Sequence, residues 1–326
     1  LTVEDIQKLS PEQWALQEVR SKKDIELLKQ CYEKFPPLNC KWLDFRRELD
    51  MTNDKDLFIE KYAPQLLPLY QGKMIWQFSA EFSSAELFLD ANAFDARLKS
   101  KELSRMKRDL ANLKDSANEN AIVFDREFIR LGFRDIAGDT NERTAIFSLI
   151  PKNSAVGATV WHSYFQYKIK ENKIVKTPEY LKLLFVLGIF NSLTIDFIAR
   201  GMVQIHLNKT YLLCIPLPQP EESEILNNAD YYFIAKRALE LQRYFDKSNY
   251  FVELESLFPT IQKFSNQKAM DRARAELDLK IAKLYGLSFD DFQYLISPAN
   301  FKVLNEKTDK NGYLVFLKDQ NFWQAT

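Results

Sequence analysis

The longest apolar stretch, Leu181–Ile198, constrains the fold most. Lys182, Asn191, Ser192 and Asp196 interrupt it, and no apolar run in the chain reaches the ~20 residues a membrane span needs. Thr177-Pro178-Glu179 supplies an N-cap followed by proline at the first helical position. Gly201, after Arg200, is a candidate C-cap. One helix is therefore expected from Thr177 to about Arg200, buried within the protein, since a helix that is apolar all round must be covered all round.

The material to cover it is present. The chain has 326 residues, 46% of them hydrophobic, enough for about two domains at roughly 100–200 residues each. Ser21, with Asp24 three residues on, opens a helix that Pro36-Pro37 ends. A charged helix is expected over Phe94–Leu113, broken at Ser116–Asn120. Ile122–Val175 reads as mostly β, with a turn at Gly138-Asp139 and a hairpin turn at Glu171-Asn172-Lys173. Met74–Phe78, Tyr211–Ile215 and Tyr313–Leu317 read as further strands. Tyr231–Tyr244, Lys268–Tyr285 and Ser288–Ile296 read as helices, the last two separated by Gly286. The fold class is mixed α+β: a helical N-terminal segment (1–68), a β-rich domain (69–220) and a helical C-terminal region (221–326).

Composition excludes several chemistries. With 8 glycines and neither G-x-G-x-x-G nor G-x-x-x-x-G-K-[ST], no glycine-rich nucleotide-binding loop is expected. Cys31, Cys40 and Cys214 form no paired spacing, which points to a reducing compartment, and with two histidines a zinc site is not expected. His162 and His206 read as hydrogen-bonded or surface residues and Cys214 as core. No nucleophile elbow, deaminase signature or nuclease carboxylate cluster occurs, so no catalytic residue is assigned. Pro36-Pro37, flanked by Phe35 and Leu38, lacks the amide and the aromatic of an amine-methylating loop. The 45 basic and 45 acidic side chains cancel, so phosphate binding would need a local basic face. The chain opens at Leu1, not at methionine, and is expected to belong to a longer polypeptide.

Several segments, in this order and spacing, carry a resemblance. They are Asp50–Asp54 and Leu69–Phe78, then Phe133–Ala137 and Asp139–Thr144, then Pro151–Gly157. Phe190-Asn191-Ser192, Asp196–Arg200, His206-Leu207-Asn208 and Ile215–Pro218 follow, and later Ala273–Asp278 with Leu284–Leu287. From about Ser21 to Ile296 the chain resembles the C-terminal, target-recognition region of type IIG restriction-modification enzymes and related phage-defence adenine methyltransferases. The resemblance implies duplex DNA as partner and a prokaryotic, cytoplasmic setting. It also implies a methyltransferase domain elsewhere in the parent polypeptide, which would bind S-adenosylmethionine and act on a flipped adenine. That catalytic half is absent from this chain.

The residues can be weighed for DNA reading on their own. Gln77 and Asn141 can pair bidentately with adenine, and Arg134 and Arg143 with guanine. Asn141-Glu142-Arg143 can equally form a hydrogen-bonded turn with a salt bridge, leaving base reading to Gln166, Lys168 and Lys170. Lys73, after Gly72, can meet a phosphate or stand as a surface lysine. Arg200, Gln204, His206, Asn208 and Lys209 can clamp the backbone or form a solvated helix end. Arg105, Lys107 and Arg108, with Lys99, Lys101 and Lys114, can track phosphates or face solvent. Trp76, Phe78 and Phe82 alternate as a half-buried strand would. Two other functions fit less of this pattern: a stand-alone specificity subunit and a protein-interaction scaffold without DNA.

Overall fold

The computed structural model describes residues 18–110, 119–138, 141–203, 205–307 and 312–326. Lys114, the break expected at Ser116, Asp139, Thr140 and Gln204 lie outside them. The fold is mixed helix and sheet.

Helix α1 (Lys22–Lys34) starts as its sequence dictates. The Ser21 hydroxyl accepts from the Asp24 amide at 3.2 Å, and the Asp24 carboxylate accepts from the Ser21 amide at 3.1 Å. Three short strands follow, β1 (Phe45–Arg46), β2 (Leu67–Tyr70) and β3 (Phe88–Leu89), and then helix α2 (Ala91–Asp109). The β-rich stretch supplies β4 (Arg130–Arg134), β5 (Phe147–Ile150), β6 (Ala155–Val156), β7 (Val160–Ser163), β8 (Tyr167–Lys170) and β9 (Lys173–Lys176). They build an antiparallel sheet in the order β1-β7-β4-β5, a smaller sheet β3-β2-β6 whose β2–β6 pair is parallel, and the hairpin β8–β9. Glu171 and Asn172 turn that hairpin with φ of 52° and 60°, the left-handed pair a tight two-residue turn requires.

The expected single helix over 177–200 is two: α3 (Tyr180–Phe190) and α4 (Leu193–Arg200), bent by 66°. Asn191 and Ser192 break it. The Asn191 amide docks on the Phe147 backbone, accepting from its N–H and donating to its carbonyl, both at 2.9 Å. Ser192 then caps α4, its hydroxyl accepting from the Ile195 amide. Pro178 stands outside α3, whose N-cap is Glu179, and Gly201 ends α4 in a right-handed conformation. Among the described residues, no single helix is long and apolar enough to cross a membrane.

Short helices α5 (Lys209–Leu212) and α6 (Glu222–Asn227) lead to α7 (Ala229–Phe245). After it come α8 (Gln267–Leu284), α9 (Phe289–Leu295), α10 (Lys302–Lys307), α11 (Tyr313–Lys318) and α12 (Gln320–Ala325). Every residue of α3 after Tyr180 is buried. It meets α7 closely: a Cβ at Gly188 would fall 2.8 Å from Ile234 Cγ2, too near for any larger side chain. Its other end meets the sheet, where Phe190 stacks on Phe147 at 4.6 Å and Phe147 on Phe133 at 5.0 Å. One hydrophobic core runs from Leu27 to Leu317 and draws on all three expected segments.

Helical side chains also cover the free edge of β5. Asp196 accepts from the Thr144 and Ala145 amides at 2.7 and 2.6 Å, and Gln242 of α7 accepts from the Leu149 amide at 3.1 Å. With Asn191 on Phe147, an edge that would otherwise carry buried, unpaired donors is satisfied.

Three expected strands are not strands. Met74–Phe78 is a 3-10 turn (Gly72–Met74) leading to a bridge between Trp76 and Ser79, with Phe78 at φ 59°. Trp76 stacks on Phe82 at 5.4 Å rather than alternating with it. Tyr211–Ile215 falls in α5 and the turn after it, because Asn208 caps a helix there by accepting from the Tyr211 amide. Tyr313–Leu317 is α11, its apolar side chains packed on the core. Ile122 and Phe124 lie in loops next to 3-10 turns.

Candidate nucleic-acid interface

Beyond Arg134, β4 continues as a short ladder against the segment after α4. The Leu207 amide donates to the Asp135 carbonyl at 2.8 Å and the Ala137 amide to the Ile205 carbonyl at 2.9 Å, with Ile136 opposite His206. Ala137 and Leu207 are buried and anchor it. Asp135 organises the surface at its base. Its Oδ1 accepts from Arg47 Nη2 at 2.7 Å and Trp161 Nε1 at 2.9 Å, and its Oδ2 lies 2.9 Å from His206 Nδ1. Arg47 also lies over the Trp161 ring at 4.5 Å. Arg47, Asp135, Ile136, Thr159, His206 and Asn208 line an open concavity of about 420 Å³.

The surface extends both ways. Towards the smaller sheet, Thr159 accepts from the Gly72 amide at 2.9 Å and Arg134 Nε donates to the Gly72 carbonyl at 2.8 Å. Arg134 sits 5.8 Å above the Trp76 ring. No ion pair engages it among the described residues, and burial alone pulls its guanidinium below the ordinary value. Towards the hairpin, Lys209 pairs with Asp44, Asp44 Oδ2 accepts from the Tyr164 hydroxyl at 3.1 Å, and that hydroxyl accepts from Arg108 at 3.3 Å. Burial pushes the Tyr164 phenol up to about 12. Asp44 and Tyr164 then border a cleft of about 180 Å³ that also holds Lys41, Gln166 and Lys168.

Of the residues singled out in the sequence, the structure brings His206 and Asn208 to the concavity, Lys209 to its Asp44 border, and Gln166 and Lys168 to the hairpin cleft, while Arg134 leaves the other face of β4 towards Gly72 and Trp76. Asn208 is there chiefly as the cap of α5, and Lys168 reaches Glu179 at 3.5 Å. Lys73 lies beside Gly72, exposed and paired with Glu86.

Three others are placed elsewhere. Gln77 is buried: its amide donates to the Ala145 and Asn191 carbonyls at 2.9 and 3.2 Å, and its oxygen accepts from Arg274. Arg143 is fully buried and donates to the Tyr313 hydroxyl at 3.0 Å, which in turn binds Asp278. Neither side chain reaches a base edge from there, so base reading by Gln77 and Arg143 is corrected to a role in the interior. Arg200 is nearly buried as well. It pairs with Asp196 at 3.0 Å and donates to the Asn141 and Glu142 carbonyls at 2.7 and 2.8 Å. It therefore holds the turn whose Asn141 side chain is exposed. Arg200 thus joins the turn to α4, through two carbonyl hydrogen bonds on one side and the Asp196 ion pair on the other.

Sequence reasoning missed Arg47, Asp135, Asp44, Tyr164 and Trp161. Asp135 lies within Phe133–Ala137, one of the segments that carry the resemblance. For the others no local pattern marks the site, because they meet it only once β1, β4 and β7 are paired.

No family model matches the chain, and no curated protein does. Among solved structures, a type IIL restriction-modification enzyme, MmeI, in complex with DNA is similar to it with a TM-score of 0.38 and 10% identity. The match covers 80% of this chain and 35% of that one, so the chain spans about a third of the length of that structure.

Proposed function

We propose that this chain reads duplex DNA, as the specificity part of a site-specific adenine-N6 methyltransferase of the restriction-modification type. One observation carries the DNA reading. Cationic, imidazole and amide side chains from separate stretches of sequence, Arg47, Gln166–Lys168 and His206–Lys209, border two concavities joined by the Lys209–Asp44 pair, with Arg108 on Tyr164 beside them. Phosphate contacts need such a local face and not a basic average. Arg134 is the strongest single element: a half-buried guanidinium without a carboxylate partner among the described residues favours an incoming anion or a guanine edge.

The methyl-transfer part rests on the motif resemblance. S-adenosylmethionine is assigned to a methyltransferase domain in the parent polypeptide, in the prokaryotic cytoplasm. The sheets described in this chain do not fit that cofactor: two are antiparallel and the third has a single short parallel pair, so none offers the crevice of a doubly wound parallel sheet. No step of methyl transfer is derived from its residues.

Binding of a labelled mixed-sequence duplex, followed by anisotropy at increasing salt, tests the DNA reading. The expected dissociation constant rises steeply with salt, by about 0.9 in log–log slope per phosphate neutralised. Arg134→Ala and Lys209→Ala should each lower that slope by about 1. Salt-independent binding, or none, would reject DNA as the partner and favour a protein-interaction scaffold.

A further inference from the structure

In the loop after β2, the side chains of Met74, Ile75, Gln77 and Phe78 are buried. The Phe78 amide donates to the Phe147 carbonyl at 3.0 Å, and Gln77 is held by the Ala145 and Asn191 carbonyls. Trp76 and Ser79 exchange both backbone hydrogen bonds, at 2.9 and 3.0 Å, and close a tight turn in which Phe78 has a φ of 59°. That left-handed conformation is costly for a bulky residue and persists only where its surroundings enforce it, as they do at ligand clamps. The turn leaves Trp76 half-buried. The Phe82 amide, bonded to the Met74 carbonyl at 3.0 Å, brings Phe82 back beside it, and the two rings stack at 5.4 Å with 23° between their planes. Phe82 is 58% exposed, the one exposed phenylalanine among the described residues. A lone exposed apolar side chain is ordinary; a ring fixed in a stack on a pinned loop is a preformed surface.

Charge complementarity selects the occupant. Arg134, half-buried and without an ion pair among the described residues, lies 5.8 Å from the centre of the Trp76 ring. Lys73, on the same loop, is 46% exposed and pairs with the exposed Glu86. The Glu81 carboxylate next to Phe82 is occupied by Ser248, whose amide donates to it at 3.2 Å. An open ring takes a flat group, and the cations beside it take an anion; a nucleotide carries both. Within a duplex each base is covered by its neighbours, so only an unpaired base has a face to offer. Resting on the DNA reading above, we infer that the Trp76–Phe82 stack is a platform for one unpaired nucleobase of the bound DNA, with Arg134 and Lys73 beside it for phosphate. Stacking of this kind holds any base, since every base has a π-face, and leaves sequence reading to other residues.

The test uses two short duplexes, each with one central unpaired nucleotide, a thymidine in the first and an abasic site in the second. Their phosphates are equal in number, so anisotropy at one salt concentration compares the base alone. The wild-type chain should bind the thymidine duplex about tenfold more tightly, the scale of one base stacked on an aromatic ring. Phe82→Ala should abolish that preference and keep the salt slope, whereas Phe82→Tyr should retain both. Because the ring is mainly exposed, melting temperatures should stay unchanged and separate the effect from misfolding. Equal binding of the two duplexes, or a preference that survives Phe82→Ala, overturns the platform, while salt-dependent binding to a fully paired duplex keeps the DNA reading. Absence of salt-dependent binding to every duplex removes both.

Discussion

Arg46 and Arg47 are neighbours in β1 and its exit, and they enter opposite worlds. The Arg46 side chain is 8% exposed, and the Arg47 side chain 41%. Arg46 points into an ionic cluster on one side of the large sheet. It meets Glu102 at 2.7 Å and also Asp125; Lys176 meets the same two carboxylates at 2.7 Å each. Arg130 meets Glu48 at 2.9 Å and Ser154 at 2.7 Å, and Glu48 accepts from the Val156 amide at 2.8 Å. The cluster ties β1, β4 and β6 to α2 and β9. Arg47, one residue on, joins the open strip around Asp135. The same residue types thus lie enclosed among fixed partners in one region and open to solvent in the other. Burial decides which, because removing a charge from water is tolerable only when its partner is fixed in place.

The largest effect should come from breaking the buried side. Arg130→Met leaves Glu48 enclosed without its direct ion-pair partner, and should lower unfolding stability by about 3–5 kcal/mol in urea denaturation. Adding Glu48→Gln should recover part of that loss, since the orphaned charge goes with it. A single-variant cost under about 1 kcal/mol would show the cluster to be no more coupled than a surface pair.

A smaller effect should appear with pH. His162 is fully enclosed in the same cluster, its Nδ1 2.8 Å from the Ser163 carbonyl and its Nε2 3.4 Å from Glu48. Burial, with Arg130 and Arg46 beside it, holds its imidazole well below the ordinary value, so it stays neutral in the folded chain. Above a pH of about 6.5 folded and unfolded forms are both neutral there and stability is complete. Below it the unfolded chain takes up a proton that the folded chain refuses, so stability falls until the folded value is reached, by up to about 1.4 kcal/mol per pH unit. His162→Gln should flatten that fall in thermal melts taken across this range. Parallel curves for the two proteins would discount His162 as its source.

What could be read in the sequence follows the range of the interactions. Ser21 with Asp24, and Glu171-Asn172, act within three residues, and both elements are as expected. Tyr211–Ile215 and Tyr313–Leu317 are short apolar runs whose period cannot tell strand from helix. The Asn208 cap and burial against the core make both helical. The split of 177–200 was marked by Asn191 and Ser192, but that their polar atoms end one helix and dock it on β5 depends on Phe147, 44 residues away. The site divides in the same way. Nothing local distinguishes Arg134, left half-buried beside Gly72, from Arg143, whose guanidinium is claimed by Tyr313 at a separation of 170 residues. Gln77 is likewise taken by Asn191 and Arg274.

The smallest stability effect sharpens the contrast from the open side. Arg47 has a fixed partner in Asp135 and a ring beneath it in Trp161, yet its side chain is well exposed and screened by solvent. Arg47→Ala should therefore cost at most about 1 kcal/mol in stability. Asp135 is not orphaned by the change, because Trp161 Nε1 still donates to it and His206 remains beside it. On the DNA reading, the same substitution should weaken duplex binding and lower the salt slope by about 1. Arg46→Ala should show the reverse pattern, with a large loss of stability and an unchanged slope in whatever fraction remains folded. Measuring urea denaturation and salt-dependent anisotropy on both proteins separates the two roles. If Arg47→Ala were as destabilising as Arg46→Ala, the open strip would be a second structural cluster and not a surface held for a partner.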